Sequence, residues 1–175
     1  MNYKVRVTKD SLVFSAGHFI TFNGDHCERI HGHNYRVAIE VEGDLDENGY
    51  VFDFIALRDQ AKAIVDELDH RMLLPADSTK ILLEDDGPSN LRARYKDRSW
   101  SFPRDECVIL PVPNTTAEML AAYIAGRLRG AWTDLGIPLP PVMRVEVEEC
   151  FGQWGVVEWR GGSSPPPIIA ASGTL

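Results

Sequence analysis

The sequence has no long hydrophobic run, little cysteine and no excess of positive charge. No apolar stretch approaches the roughly 20 residues of a membrane-spanning helix, and residues 1–6 (MNYKVR) offer no apolar core for a signal peptide. The three cysteines, Cys27, Cys107 and Cys150, are an odd number, which fits a reducing compartment better than a disulfide framework. We therefore expect a cytoplasmic protein that has no membrane partner.

The charge balance excludes a further class of partner. The chain of 175 residues carries a formal net charge of −8 and has a pI of about 5.1. Non-specific binding to nucleic acid needs an excess of Lys and Arg that neutralises phosphates, so no nucleic-acid partner is expected. A small anionic substrate is compatible with this charge, because a local basic cluster or a metal ion can hold it.

The length and the apolar patterns predict one α+β domain over residues 1–160, followed by a disordered tail, 161–175, that contains GGSSPPP. Two amphipathic helices are expected: 54–68, capped by Asp53, and one that begins with a Thr115–Glu118 capping-box pattern and stops at Gly130. Strand patterns occur at 3–9, 12–16, 33–43, 50–52, 142–149 and 156–159. Two helices on one face of an antiparallel sheet is the simplest arrangement of these elements.

Two segments interrupt this regular pattern. Residues 19–30 contain the turn signal Asn-Gly-Asp and are expected to form a loop. Residues 77–110 are less regular and contain a small predicted hairpin, 92–95 with 99–102, inserted into the core fold. This insertion could cover a site, extend an oligomer contact, or do neither.

Histidines indicate a metal site. His31 and His33 flank Gly32, and their side chains share one face if the strand begins at or before His31, because strand side chains alternate. An antiparallel partner strand could bring His18 to the same place. Three histidines with one open position are typical of a catalytic zinc site. The alternative is a surface strand that merely carries two histidines, since H-x-H alone is a weak motif.

Several segments together resemble the 6-pyruvoyltetrahydropterin synthase and 6-carboxytetrahydropterin synthase family. They are FSAGH at 14–18, CERIHGHNY at 27–35, VFDF at 51–54, LDH at 68–70, TTAE at 115–118 and VEE at 147–149. The resemblance implies the tunnelling fold (T-fold), a four-stranded antiparallel sheet with two helices on one face, here with an inserted hairpin. It also implies a homo-oligomer, trimer or hexamer, with active sites between subunits, and a Zn²⁺ ion held by His18, His31 and His33.

The same resemblance implies catalytic roles around the metal. Cys27 would be the general base that removes a proton from the substrate's side chain; the alternative is a fourth zinc ligand that closes the site. Glu28 stands where one branch of the family has its base, so it is either a second base or a solvated loop residue. Asp69 and His70 would relay protons to the substrate, or His70 would only interact with the end of a helix.

Three further residues match positions at which the family contacts the pterin ring. Glu149 would anchor the ring by accepting two parallel N–H bonds, and Thr115 and Thr116 would touch the same ring, although Thr115 is alternatively only a helix cap. Two departures concern the pocket: Cys150 stands where the family commonly has Thr, and Met119 where it often has Asn.

The expected activity is that of a zinc-dependent lyase that converts 7,8-dihydroneopterin triphosphate to 6-carboxy-5,6,7,8-tetrahydropterin, a queuosine precursor. The metal would bind the substrate's side-chain hydroxyls and acidify the adjacent C–H bond. Formation of 6-pyruvoyltetrahydropterin, or of 6-hydroxymethyl-dihydropterin on the folate route, is the related alternative. A non-catalytic zinc- or pterin-binding protein is the alternative of another class.

Overall fold

The computed structural model describes residues 1–161, so the predicted tail lies outside the described residues except for Gly161. The elements in chain order are β1 (Tyr3–His18), β2 (Thr21–Phe22), β3 (His26–Cys27), β4 (His31–Gly43), α1 (Phe54–Leu68), β5 (Arg71–Pro75), β6 (Leu82–Asp85), β7 (Asn90–Tyr95), β8 (Arg98–Pro103), a short 3-10 helix (Arg104–Glu106), β9 (Cys107–Leu110), α2 (Ala117–Asp134), β10 (Val142–Cys150) and β11 (Gln153–Arg160). Neither α-helix is long and apolar enough to cross a membrane.

The main sheet has six strands in the order β11-β10-β4-β1-β5-β9. The first four are antiparallel, as predicted. Strands β5 and β9 extend the sheet in parallel beyond β1. The sequence patterns missed these two strands because a short, buried parallel strand does not alternate between apolar and polar residues.

Helices α1 and α2 cover one face of this sheet, and the largest apolar cluster lies between them and the strands. Helix α1 begins where the sequence predicts, because the side chain of Asp53 accepts hydrogen bonds from the N–H groups of Ile55 (2.7 Å) and Ala56 (3.3 Å). Its buried stripe is Leu57, Ala61, Ile64, Val65 and Leu68. The apolar residues whose spacing predicts helix α1 are therefore the residues that the structure buries.

Four details of the predicted elements were wrong. β1 is one long strand rather than two, because a register shift between Thr8 and Val13 absorbs the apparent break. Residues 50–52 form bends and no strand. Helix α2 has Thr116, not Thr115, at its N-cap and continues past Gly130 to Asp134. The loop at 19–30 contains the short β2–β3 pair.

The insertion forms its own three-stranded antiparallel sheet, β6-β7-β8, which we name the inserted sheet. Strands β7 and β8 confirm the predicted hairpin. A second apolar cluster lies between this sheet, β5 and the loop that follows β1; it contains Phe19, Leu74, Ile81, Leu91, Ala93 and Tyr95. The inserted sheet is therefore packed directly beneath the loop that carries Cys27 and Glu28.

Candidate metal centre

Strands β1 and β4 bring three histidines together at one end of the sheet. His18 is the last residue of β1 and His31 the first of β4; the register pairs them, and it pairs Ala16 with His33. Directly paired residues point to the same face, so the three imidazoles share the face that the helices cover. Their ligand atoms all lie within 4.8 Å of one another. The three histidines could therefore hold a metal ion.

Backbone carbonyls set the orientation of two of these rings. Nδ1 of His18 donates to the carbonyl oxygen of Thr115, and Nδ1 of His31 donates to that of Arg29, each at 2.9 Å. A carbonyl oxygen can only accept, so each Nδ1 carries the ring proton and each Nε2 is left with a lone pair. The outward nitrogens are thus in the form that ligates a metal, and their orientation is fixed by groups behind them.

The separation of these nitrogens supports a bound cation. Nε2 of His18 lies 3.2 Å from Nε2 of His31, and two lone pairs at this distance repel each other unless a cation lies between them. Two nitrogen ligands of a tetrahedral zinc ion, with bonds of about 2.0–2.1 Å, are about 3.3 Å apart. The donor type and the spacing of His18 and His31 therefore match two ligands of such a metal ion.

Burial keeps His18 neutral. Its side chain is only 1% exposed, and this desolvation lowers the pKa of His18 to about 4, against the hydrogen bond to Thr115, which raises it. The positive charge that His31 and His33 can carry lowers it further. A histidine that stays uncharged near neutral pH binds a metal without competition from a proton.

Glu149 lies beside the histidines. Its Oε1 is 3.4 Å from Nε2 of His18 and 3.9 Å from Nε2 of His33. Glu149 follows the buried Val145 and Val147 at two-residue spacing along β10, so strand alternation directs its side chain to the same face as theirs. A carboxylate is thus available next to the metal centre as a hydrogen-bond acceptor.

Two residues that the sequence patterns did not place beside the metal centre, Tyr35 and Cys150, lie next to it. Tyr35 is fully buried, and its ring centroid lies 5.8 Å from that of His18 and 5.5 Å from that of His33. Tyr35 follows His33 by two residues in β4, so strand alternation alone could have predicted that the two side chains share a face. Sγ of Cys150 lies 3.2 Å from Nδ1 of His33, so the residue that departs from the family pattern contacts a predicted ligand.

The loop between β1 and β4 carries the two predicted bases differently. Oε2 of Glu28 lies 3.8 Å from Nε2 of His31, so this carboxylate faces the histidines. Cys27 packs against the apolar cluster above the inserted sheet, and burial raises the pKa of its thiol although the charge of Arg98 opposes this. In the part of the chain that the structure describes, the convergent ligand group contains no cysteine. This geometry does not support Cys27 as a fourth ligand.

Asp69 and His70 form a close pair just after α1. Oδ2 of Asp69 lies 2.9 Å from Nδ1 of His70, and Oδ1 accepts the N–H of Ser15 at 2.7 Å, which holds the pKa of Asp69 below its usual range. The backbone N–H of His70 donates to the carbonyl of Ser15 at 2.7 Å. The carboxylate thus orients the imidazole, whose side chain is 82% exposed.

This pair is not part of the convergent ligand group formed by the three histidines among residues 1–161. His70 lines an open cleft of about 610 Å³ whose lining also includes His31 and His33. Ser15 and Asn34 line the same cleft, and their hydroxyl and amide are hydrogen-bonded to each other. Because side chains alternate along strands, Ser15 and Asn34 point away from the face that carries His33. The predicted proton relay therefore shares a cleft with two of the histidines, but within the described residues it lies outside the group whose ligand atoms converge.

The predicted pterin-contacting threonines have different surroundings. Thr115 is fully buried, its hydroxyl donates to the carbonyl of Phe19 at 3.3 Å, and its own carbonyl orients His18. Thr116 is the N-cap of α2, and its side chain makes no capping hydrogen bond. Thr115 is therefore a support of the metal centre rather than a helix cap.

Residues 6–159 match the family described as 6-pyruvoyl tetrahydropterin synthase. A Methanocaldococcus jannaschii protein, provisionally named 6-carboxy-5,6,7,8-tetrahydropterin synthase, is 34% identical over 143 residues, which cover 81% of this chain and 86% of that protein. A dihydroneopterin monophosphate aldolase of Pyrococcus furiosus is 38% identical over 60 residues, 34% of this chain and 50% of that protein.

A solved structure shows the same similarity. The 6-pyruvoyltetrahydropterin synthase of Plasmodium vivax superposes with a TM-score of 0.84 at 28% identity, covering 91% of this chain and 99% of that chain. It has been solved as variants in which a catalytic glutamate is replaced by alanine or by cysteine. The expected α+β T-fold is therefore confirmed, and the likeness extends well beyond the histidine motif.

Proposed function

The chain belongs to the 6-pyruvoyl tetrahydropterin synthase family, and from this premise we propose that it is a zinc-dependent lyase that converts 7,8-dihydroneopterin triphosphate to 6-carboxy-5,6,7,8-tetrahydropterin. The name of the M. jannaschii relative supports this product, which is a precursor of queuosine. The observation that carries the proposal is the pair of lone-pair nitrogens of His18 and His31, 3.2 Å apart, beside the third imidazole of His33.

The chain's own residues would divide the chemistry among them. A zinc ion on His18, His31 and His33 would polarise the oxygens of the substrate's side chain as a Lewis acid. Cys27 would remove a proton from the carbon next to these oxygens. Burial raises the pKa of its thiol against the opposing charge of Arg98, and a zinc ion nearby would favour the thiolate that this step requires. Glu149 would accept the N–H groups of the pterin ring's amino-pyrimidinone edge.

Protons must also be returned to the substrate, and the Asp69–His70 pair is suited to that task. Oδ2 of Asp69 lies 2.9 Å from Nδ1 of His70, which sets the tautomer and the orientation of the ring. Among residues 1–161, this pair is not part of the group whose ligand atoms converge, and we propose that His70 of one subunit serves the centre of another.

The proposed assembly is a homotrimer or homohexamer that works in the cytoplasm. β9 and β11 are the outer strands of the main sheet, so each leaves an edge that can pair with the sheet of a neighbouring subunit. Light scattering coupled to size-exclusion chromatography tests this state, and a monomer at working concentration would contradict a site shared between subunits.

A second product is supported by one specific observation. Glu28 faces the histidines, with Oε2 3.8 Å from Nε2 of His31, and the P. vivax relative has a catalytic glutamate. A carboxylate base that removes a different proton would favour cleavage between the side-chain carbons and yield 6-hydroxymethyl-dihydropterin, the folate-route product. The name of the P. furiosus relative, an aldolase, agrees with such a cleavage.

Product analysis tests both proposals. Zinc-loaded protein is incubated with 7,8-dihydroneopterin triphosphate, and the reduced pterins are identified by mass spectrometry. We expect Cys27→Ala to abolish the 6-carboxy product and Glu28→Gln to abolish any 6-hydroxymethyl product, while both variants retain zinc. If neither substitution changes any product, the assignment of the bases is wrong; if the wild type converts no pterin, the proposed function is wrong.

A further inference from the structure

Arg98, at the start of β8 in the inserted sheet, binds the loop that carries both proposed bases. Its Nη1 donates to the carbonyl oxygen of Cys27 at 2.9 Å, and its Nη2 donates to that of Glu28 at 3.1 Å. A planar guanidinium can satisfy two consecutive carbonyls at once, which a lysine ammonium cannot do with the same geometry. The backbone of both residues is thus held by one side chain.

The loop has few other bonds that fix its shape. Its only regular pairing is the two-residue ladder of β2 with β3, and the N–H of Glu28 donates to the carbonyl of Ile20 at 3.0 Å. Asn114 holds the far end of the loop through both backbone groups of Thr21. The segment between Asn23 and Glu28 therefore depends largely on contacts from the inserted sheet.

The turn that joins β7 to β8 adds to these contacts. The hydroxyl of Tyr95 donates to the carbonyl of Asp25 at 2.6 Å and lies 3.0 Å from its Oδ1. Nζ of Lys96 lies 2.5 Å from Oδ2 of the same carboxylate, and this hydrogen bond holds the pKa of Asp25 below its usual range. The end of the β7–β8 hairpin therefore contacts the loop at Asp25, in addition to the contacts that Arg98 makes with Cys27 and Glu28.

Arg98 itself is held in place from its other side. Its guanidinium lies over the ring of Trp100, 4.7 Å from the centroid, and Trp100 packs against Phe19 at 4.6 Å. Among residues 1–161, no carboxylate oxygen lies within ion-pair distance of Arg98. Its charged N–H groups are thus directed to the loop carbonyls, and hydrogen bonds from a charged donor are stronger than neutral ones.

We propose that Arg98 is a positioning residue, which holds the loop backbone at Cys27 and Glu28 and thereby sets where both side chains lie relative to the metal centre, and that this is the role of the inserted sheet. The catalytic consequence rests on the proposed function, whereas the placement of the loop does not. Arg98 acts through the two carbonyls it binds and makes no contact with a reacting atom in this arrangement.

The test compares Arg98→Ala and Arg98→Lys with Arg94→Ala as the matched control. Arg94 lies in the same inserted sheet but pairs only with Glu84 within it. Steady-state kinetics, zinc content and urea unfolding are measured for each variant. Hydrogen–deuterium exchange of the peptide 19–30 reports the loop directly and requires no substrate.

We expect Arg98→Ala to lower kcat by about 10- to 100-fold, the usual effect of a misplaced catalytic group, while KM changes less than about threefold and zinc content is unchanged. Exchange in peptide 19–30 should be on the order of tenfold faster, because two charge-assisted hydrogen bonds are lost. Arg98→Lys should recover part of both effects, and Arg94→Ala should show neither. A merely structural role would instead lower the unfolding midpoint and leave kcat of the folded enzyme intact.

The outcomes separate the two proposals. If Arg98→Ala matches Arg94→Ala in exchange, or if exchange rises while kcat stays at the wild-type value, the positioning role is refuted. If the wild type converts no pterin but exchange rises only in the Arg98 variants, the proposed function fails while the placement of the loop by Arg98 is supported.

Discussion

Replacing Gly155 with alanine should disrupt both the fold and the metal centre. Gly155 lies in β11, where a Cβ atom would be 2.4 Å from the backbone C of Ala117 and 2.4 Å from the backbone N of Glu118. Ordinary contact begins at about 3.4 Å, so the start of α2 would have to move by about 1 Å. The obstacle is backbone, which cannot rotate away as a side chain can. We therefore expect a loss of about 3 kcal/mol in the free energy of unfolding, the upper end of the usual cost of overpacking.

The same displacement should weaken metal binding. Thr115 immediately precedes the displaced end of α2, and its carbonyl accepts the hydrogen bond from Nδ1 of His18 at 2.9 Å. Losing a partner of this kind behind a metal ligand typically lowers affinity by about 10- to 100-fold. The folded fraction of Gly155→Ala should therefore bind zinc less tightly than the wild type by a similar factor.

Gly130→Ala is the matched control, since it is the same chemical change in α2. Gly130 is exposed, lies inside the helix and has no atom within 4 Å of the position its Cβ would take. Alanine is a better helix former, so this variant should be more stable than the wild type by up to about 1 kcal/mol. Zinc affinity should not change.

Urea unfolding followed by circular dichroism measures the two stabilities, and competition with a chromogenic chelator measures zinc affinity. The predicted free-energy changes have opposite signs, so the pair also controls for a general effect of added alanine. If Gly155→Ala unfolds within about 0.5 kcal/mol of the wild type, a range typical of ordinary surface changes, the inferred close approach of β11 and α2 is wrong.

Three further predictions concern the metal centre. His31→Ala should lose bound zinc in a metal assay, whereas His26→Ala, in the same loop but outside the ligand group, should retain it. Glu149→Gln should keep zinc but raise KM for the pterin by about tenfold or more through loss of a charged acceptor; Glu146→Gln, whose carboxylate pairs with an arginine on the other face of the sheet, should leave KM unchanged. In chelator-treated protein, His18 has a pKa of about 4 against 6.5 for the free side chain, so the unfolded chain binds its proton first as pH falls. Its contribution to stability is therefore complete above about pH 6.5 and declines between 6.5 and 4, by up to about 3 kcal/mol; an unfolding free energy that is flat across this window would contradict the inferred burial.

Local patterns in the sequence were sufficient where neighbouring residues decide the structure. Helix α1 begins and ends as predicted, because its N-cap and its apolar stripe are formed by residues close together in the sequence. The shared face of His31 and His33 follows from strand alternation alone. The approach of His18 required only that β1 and β4 pair as adjacent antiparallel strands, and the observed register confirms it.

Patterns failed where distant segments decide the structure. The parallel strands β5 and β9 are defined by pairing with β1 and with each other. The three buried residues in a row at the end of β5 do not distinguish a strand from other core segments. The prediction of two strands in place of β1 was wrong because a bulge within one strand and a turn between two strands interrupt the apolar–polar alternation in the same way.

The sequence by itself therefore determined the family, the helices and the three candidate ligands, since each depends on residue types at short, regular spacing. Only the tertiary structure decided that His70 shares a cleft with His31 and His33 without joining the ligand group, because its position depends on how β1 packs against the end of α1. The sequence likewise could not predict the contact of Arg98 with the loop. This arginine binds main-chain carbonyls about 70 residues away. Every residue has a main-chain carbonyl, so no pattern of side chains indicates which ones are bound.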